Sequence, residues 1–426
     1  MKDVIMRSFL LFVFFSLLYK GGYAQKNCKA AEYRHAALAS NPHLDGEASR
    51  IESFITGKIA TQERTGSTSG TAAGGLNVIR IPVVVHVLYN TPAENISDEQ
   101  VISQIAALNR DFRKQADLLR IPVTFRSLAS DTYIEFSLAV IDPKGRATCG
   151  IIRKKTSIKT YGIDDRIKFS HKGGDDAWDA DKYLNIWVGS TAGAIIGYAS
   201  VVGGPKDKDG VVIRYDAFGT TGRLSSPYDK GRTAVHEVGH WLGLYHIWGD
   251  RFCGDDKVAD TPPQQAPSWG CPSGEVASLC SDVPAGKMYM NFMDLTDDAC
   301  TSMFTYGQRD RMRALFQVGG PRHVLLSSDG LTGVPREEAP VPEEKQEMRN
   351  VKIYPNPAGA FLNIELVNES GTVREMTVYN QHGQPVARYV VTKSTTQVNV
   401  SRLAAGIYFL KVDGENKFVK FIKQSN

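Results

Sequence analysis

The stretch His236-Glu237-Val238-Gly239-His240-Trp241-Leu242-Gly243-Leu244-Tyr245-His246 constrains this chain more than any other. Histidines four apart project from one face of a helix and can grip a single ion. Glu237 stands beside them, where a carboxylate can take a proton from water. Gly243 lets the chain leave the helix sharply and brings His246 round as a third ligand. Three imidazoles leave an open position on zinc, the arrangement of a hydrolytic centre. Two surface histidines on an ordinary helix would share the four-residue spacing. They would not bring the glutamate, the glycine and the third histidine with them.

At 426 residues the chain has room for two or three domains, and a net charge of +4 makes no case for a nucleic-acid partner. Lys2 and Arg7 precede an apolar run over 9–15 that ends by Tyr19, too short to span a bilayer. Gly22-Tyr23-Ala24 offers small residues at a cleavage site, so 1–24 reads as a signal peptide. An exported chain with six cysteines fits disulfides, and no later stretch is apolar enough to cross a membrane.

Residues 25–77 read as an activation pro-segment. They carry weak helical stripes (Ala31, Tyr33, Ala37, Leu38; Ile51, Phe54, Ile55) and then a Gly/Ser/Thr stretch open to proteases. Cys28 is its candidate latency switch, a thiolate able to fill the open position on zinc; the competing reading pairs it with Cys149. The catalytic domain is expected over 78–325, with strands near 79–89, 133–141, 183–188, 197–202 and 211–215. A helix opens with a capping box at Ser97 and Gln100, the zinc helix starts near Asp229, and a last helix covers 306–315. His86, alone within a strand, reads as a core residue. From Asp250 to Cys300 periodicity fades, and Cys253, Cys271, Cys280 and Cys300 can tie the segment down in any of three pairings. The acidic run 255–261 is either a calcium loop or a solvated surface loop. A Pro/Glu-rich linker is expected over 326–350, and alternating short strands over 351–426 predict a β-sandwich that carries no catalytic cluster. The fold class is therefore α+β, a mixed twisted sheet with a backing helix and a zinc helix above an irregular, disulfide-tied lower half. A C-terminal all-β sandwich completes it.

The zinc stretch, with Met288-Tyr289-Met290-Asn291-Phe292-Met293-Asp294 downstream, resembles the metzincin metallopeptidases. The Gly-Leu-Tyr-His-Ile-Trp continuation and the run 293–300 resemble their pappalysin family, over roughly 78–324. That resemblance implies Met293 as the turn methionine beneath the metal, and bridges Cys253–Cys280 and Cys271–Cys300. It also implies calcium near Asp256, Asp260 and Thr261, cleavage before Arg or Lys with Asp297 or Asp298 reading the base, and latency through Cys28. One position departs from the pattern: Leu295 stands where the family carries a tyrosine, so that the phenol comes from Tyr289 or Tyr306 or is dispensed with. Tyr354-Pro355-Asn356-Pro357, the Val378-Tyr379-Asn380 run with Gly383, and 403–408 followed by Lys411 resemble a type IX secretion sorting domain. They imply release from, or attachment to, the surface of a Gram-negative cell. The expectation is thus a secreted, monomeric zinc endopeptidase acting on proteins or peptides. Its rivals are a non-catalytic surface adhesin or host-protein binder that keeps a closed zinc, and a zinc esterase or amidase acting on small substrates.

Overall fold

The computed structural model describes residues 27–64, 76–116, 118–280, 286–332, 351–366, 374–381, 383–391, 395–412 and 418–424. The expected signal peptide, the Gly/Ser/Thr stretch 65–75 and the segment 333–350, with nearly all of the Pro/Glu run, lie outside them. Seven strands form one sheet: β1 (Asn27–Cys28), β2 (Ile79–Tyr89), β3 (Ile134–Leu138), β4 (Ile151–Lys155), β5 (Leu184–Gly189), β6 (Ile195–Ala199) and β7 (Val211–Arg214). Their order is β1-β6-β7-β5-β2-β3, with β4 also on β2. All pairs are parallel except β6 with β7. Pro82 is the fourth residue of β2, deeper than the start or edge the sequence favours. It is tolerated because pairing with β5 begins only at Val83.

Helices α1 (Ala30–Ser40) and α2 (Pro42–Arg64) precede the sheet, and α3 (Asp98–Phe112) backs it with Val101, Ile105, Leu108 and Phe112 fully buried. Ser97 caps α3 by accepting from Gln100 N–H at 3.2 Å. The expected box closes on that side only. The Gln100 amide is drawn inward instead, donating to the carbonyls of Tyr215 (2.9 Å) and Phe218 (2.8 Å). After the single-turn α4 (Val123–Arg126) come the zinc helix α5 (Arg232–Trp241) and α6 (Tyr306–Ala314). A complete capping box at Thr305 and Gln308, not foreseen, opens α6. Among the described residues no helix or strand lies between α5 and α6, and two disulfides, Cys253–Cys280 and Cys271–Cys300, tie that stretch.

The C-terminal strands are β8 (Val351–Tyr354), β9 (Phe361–Leu366), β10 (Arg374–Asn380), β11 (Pro385–Val391), β12 (Thr395–Asn399), β13 (Gly406–Val412) and β14 (Phe418–Lys423). They make a four-stranded sheet, β11-β10-β13-β14, and a three-stranded one, β12-β9-β8. Leu362, Ile364, Met376, Val378, Leu410 and Phe421 are fully buried together, the core of a sandwich. Among the described residues no helix is long and apolar enough to cross a membrane.

One buried ionic network fixes the end of the zinc helix. Arg322 donates to both Asp209 oxygens (2.5 and 3.0 Å) and to the Trp241 carbonyl (3.2 Å). Its guanidinium stacks 3.6 Å above the Trp241 ring, whose Nε1–H donates to Asp209 at 2.6 Å. Removing one partner of such a pair leaves the other charge buried and uncompensated. Arg322→Met is expected to lower the unfolding free energy by about 3–5 kcal/mol, read by urea denaturation. A loss below 1 kcal/mol would show that solvent reaches Asp209.

Candidate metal centre and cleft

Helix α5 begins at Arg232, three residues later than the sequence suggests, because its start is set from outside. The carboxylate of Asp298 accepts from Lys230 N–H and Arg232 N–H, both at 3.0 Å, and places a negative charge at the positive helix end. Gly239 faces the methionine turn. A Cβ there would sit 2.5 Å from Met293 Sδ, so the glycine is what lets helix and turn approach. Gly243 adopts φ +83°, a conformation natural to glycine, and turns the chain so that His246 comes back over the helix.

Each imidazole is held by its Nδ1–H. His236 donates to the Phe292 carbonyl (2.7 Å), His240 to the Leu244 carbonyl (2.9 Å) and His246 to the Asp250 carboxylate (2.5 Å). Carbonyls only accept, which fixes the tautomer and turns each Nε2 lone pair inward. His236 Nε2 and His240 Nε2 stand 3.1 Å apart, and the buried Nε2 of His246 has no hydrogen-bond partner among the described residues. The Cys28 sulfur lies 3.6 Å from His240 Nε2, and the four ligand atoms fall within 4.8 Å of one another. Tetrahedral zinc at about 2.0–2.3 Å from N and S ligands fits a cluster of this size. Although its edge is partly exposed, burial of His240 and then the neighbouring His246 push its pKa down to about 3, keeping the lone pair available. Asp250 is held below its ordinary value: burial works against this, and the hydrogen bond from His246 outweighs it.

Glu237 is buried with its carboxylate against β6: a Cβ at Gly197 would meet its Oε1 at 2.9 Å. Gly197 is also the register partner of Cys28, and its carbonyl accepts from Lys29 N–H at 3.0 Å. The carboxylate, strand β1 and, through Cys28, the His/Cys cluster therefore meet at one residue of β6.

The other sequence candidates separate. Ile247 N–H donates to the Met293 carbonyl (3.2 Å), so the turn that anchors His236 also steadies the chain after His246. Asp298 is engaged with the start of α5, whereas Asp297 is half-buried. The Tyr228 phenol is pushed far up, by burial first and then by Asp297, which puts that carboxylate beside Tyr228. Tyr228 in turn packs with Ile196 of β6. Thr261 Oγ1 donates to both Asp256 oxygens (2.9 and 2.8 Å), while Asp260 accepts from Thr305 Oγ1 (2.6 Å) and Gly307 N–H (2.9 Å). Burial raises Asp256 to about 7. Among the described residues no second group of three His, Cys, Asp or Glu side chains is arranged for a metal. Leu295 lies in an apolar cluster with Ile247 and Trp248. The Tyr289 hydroxyl donates to the Gly274 carbonyl at 3.0 Å, and the Tyr306 ring packs under Arg309. His86 is a buried core residue, bonded to Asp175 (2.7 Å) and Asn185 (3.1 Å). Cys149 is in no disulfide.

Sequence reasoning missed two acids, the buried Asp294 and the half-buried Asp209. Asp294 accepts from Ser268 N–H (2.7 Å), Leu295 N–H (2.8 Å) and Gln264 Nε2 (3.0 Å), which binds the methionine turn to the lower loops. Its place directly after Met293 was the available signal.

Residues 169–317 match the family described as pregnancy-associated plasma protein-A, and 352–424 match the secretion system C-terminal sorting domain. An extracellular metalloprotease of Pyricularia oryzae is 31% identical over 268 residues, 61% of this chain and 82% of that one. Mature mirolysin of Tannerella forsythia, solved with a cleaved peptide, is 49% identical at a TM-score of 0.58, covering 59% of this chain and 97% of that one. A promirolysin mutant of the same organism is 45% identical at a TM-score of 0.57, covering 66% and 94%.

Proposed function

This chain belongs to the pappalysin family of zinc metalloproteases, and from that premise we propose a secreted endopeptidase, made latent, in which His236, His240 and His246 hold the metal and Glu237 is the general base. Zinc, when bound, supplies the Lewis acidity that makes water a nucleophile near neutral pH. Glu237 takes the proton of the attacking water and hands it to the leaving amine, transfer worth about 10²–10⁴-fold. The backbone of β6 aligns the substrate as an added strand, with its scissile carbonyl at Gly197. The observation that carries this reading is the meeting, at Gly197, of the Glu237 carboxylate and of Cys28, whose sulfur lies 3.6 Å from His240 Nε2.

The chain ends in a secretion sorting domain, so the protein is secreted or held at the cell surface. We assign 1–24 as signal peptide, 25–77 as pro-segment, 78–325 as catalytic domain and 326–350 as linker. Residues 351–426 are the part read by the type IX machinery of a Gram-negative cell. For specificity we propose Arg or Lys just after the scissile bond. Asp297 is the acid that reads it, because Asp298 is already engaged with the helix start.

Glu237→Gln is expected to keep stoichiometric zinc and lose at least a hundredfold in peptide cleavage. Mass spectrometry of fragments from a denatured protein mixture, with and without chelator, reads both activity and the residue after each cut. Substantial turnover by the variant would remove Glu237 from the mechanism, and cuts without Arg or Lys enrichment would remove the role of Asp297.

Latency follows from Cys28 at the fourth ligand position. Cys28→Ala is expected to give a precursor that matures earlier and shows activity before processing. A variant that stays as silent as the wild type would assign latency to steric cover alone.

We propose calcium at Asp256, Asp260 and Thr261 on the resemblance and on the raised Asp256, whose buried charge a cation would offset. Millimolar calcium should raise the midpoint of thermal unfolding relative to EGTA. Equal midpoints would leave that loop held by its hydrogen bonds alone.

A further inference from the structure

Beyond Cys28, one contact of the pro-segment is a closed box of side chains. Tyr33 of α1 is buried, and its hydroxyl donates to Asp165 Oδ2 at 2.8 Å. Its ring lies 5.1 Å from the Tyr198 ring, and the Lys168 ammonium stands 5.1 Å from the ring centroid. Lys168 is fully buried, pairs with Asp165 at 3.0 Å, and also faces Trp187 and Tyr198. Everything in this box except Tyr33 belongs to the catalytic domain. A cleft lined by Leu44, Asp165, Val201, Gly204, Pro205 and Lys208 runs alongside it, between the pro-segment helices and the body of the domain.

We propose that the Asp165–Lys168–Tyr198 box is a substrate subsite that takes a tyrosine side chain about three residues before the scissile bond, once the pro-segment has left. This rests on the peptidase reading given above. Tyr198 is on β6, next to Gly197, on the side away from Ile196, Tyr228 and Asp297. With the base after the bond at the Asp297 end, the box reads residues before it. From Cys28 to Tyr33 the chain takes two extended steps and three helical ones, at most about 11 Å, or roughly three residues of extended substrate. A phenol fits all three elements: the ring stacks on Tyr198, its face meets an ammonium, and its hydroxyl donates to a carboxylate. Phenylalanine loses the hydroxyl. Arginine brings a third cation beside Lys168 and Lys208, which already neutralise Asp165.

The test uses enzyme matured from the full chain and quenched-fluorescent peptides identical except for Tyr, Phe or Arg at the second, third or fourth residue before the cut. Tyrosine is expected to exceed phenylalanine about tenfold in kcat/KM at one of these positions, through KM rather than kcat, with arginine poorest. Asp165→Asn should bring the KM values of the Tyr and Phe peptides together at that position. Should that variant fail to fold, equilibrium binding of the same peptides to Glu237→Gln enzyme gives a second reading, with the same order expected. Equal KM and equal binding for Tyr and Phe at all three positions would overturn the subsite while the peptidase reading stands. Ordered binding with no cleavage of any peptide would keep the subsite and sink the peptidase reading.

Discussion

Three imidazole N–H bonds, pointing away from the centre, are what the site depends on. His236, His240 and His246 each give Nδ1–H to a protein oxygen, so three Nε2 lone pairs converge on a small volume. Without a cation such a meeting is repulsive, and the surroundings supply the restraint. The acceptors come from the methionine turn, the chain after the zinc helix and Asp250. The helix itself is pinned at one end by Asp298 and at the other by Arg322 and Asp209. The receptor is rigid because its anchors are distributed over 236–250, 292–298 and the Asp209–Arg322 pair.

That distribution explains what the sequence revealed. The ligand set is written in a helical spacing and a glycine, so it is legible in eleven residues. The sheet is legible as β-branched runs, though their ends are not. β6 begins at Ile195 and α5 at Arg232, displaced from the expected 197 and 229, because partners distant in the chain set those boundaries. Strands β4 and β11 were not foreseen. β4 carries Arg153, Lys154 and Lys155 on a partly exposed edge, which dilutes its apolar pattern, and β11 holds an exposed Pro385 and Val386. The capping box at Ser97 fails in its second half for a related reason: Gln100 is buried and serves a distant loop. Asp297 and Asp298 are adjacent letters with one composition, and only the fold separates the helix anchor from the half-buried acid. The acidic run 255–261 was the least legible, since acidic loops with and without cations read alike.

Strand β6 is the ruler against which everything in the cleft is measured. Its start touches Tyr228, its Gly197 touches Glu237 and the register of Cys28, and its Tyr198 faces Tyr33. The lack of a Cβ at Gly197 lets a buried carboxylate and an added strand share one position. A side chain there would push Glu237 away from the metal or the added strand off the edge.

The direction of the added strand then decides between plug and substrate. β1 runs parallel to β6, from Ile195 towards Gly197, and the chain continues past Tyr198 into α1. With Arg or Lys after the scissile bond read at the Asp297 end, as proposed, a substrate runs the opposite way and is antiparallel to β6. β1 and the chain into α1 therefore cross the same groove in reverse. Their peptide groups face Glu237 with amide and carbonyl exchanged, and a sulfur rather than a carbonyl stands beside His240 Nε2. A segment with native contacts on both sides of the centre can thus bind as tightly as a substrate and still present no bond in the geometry that cleavage needs.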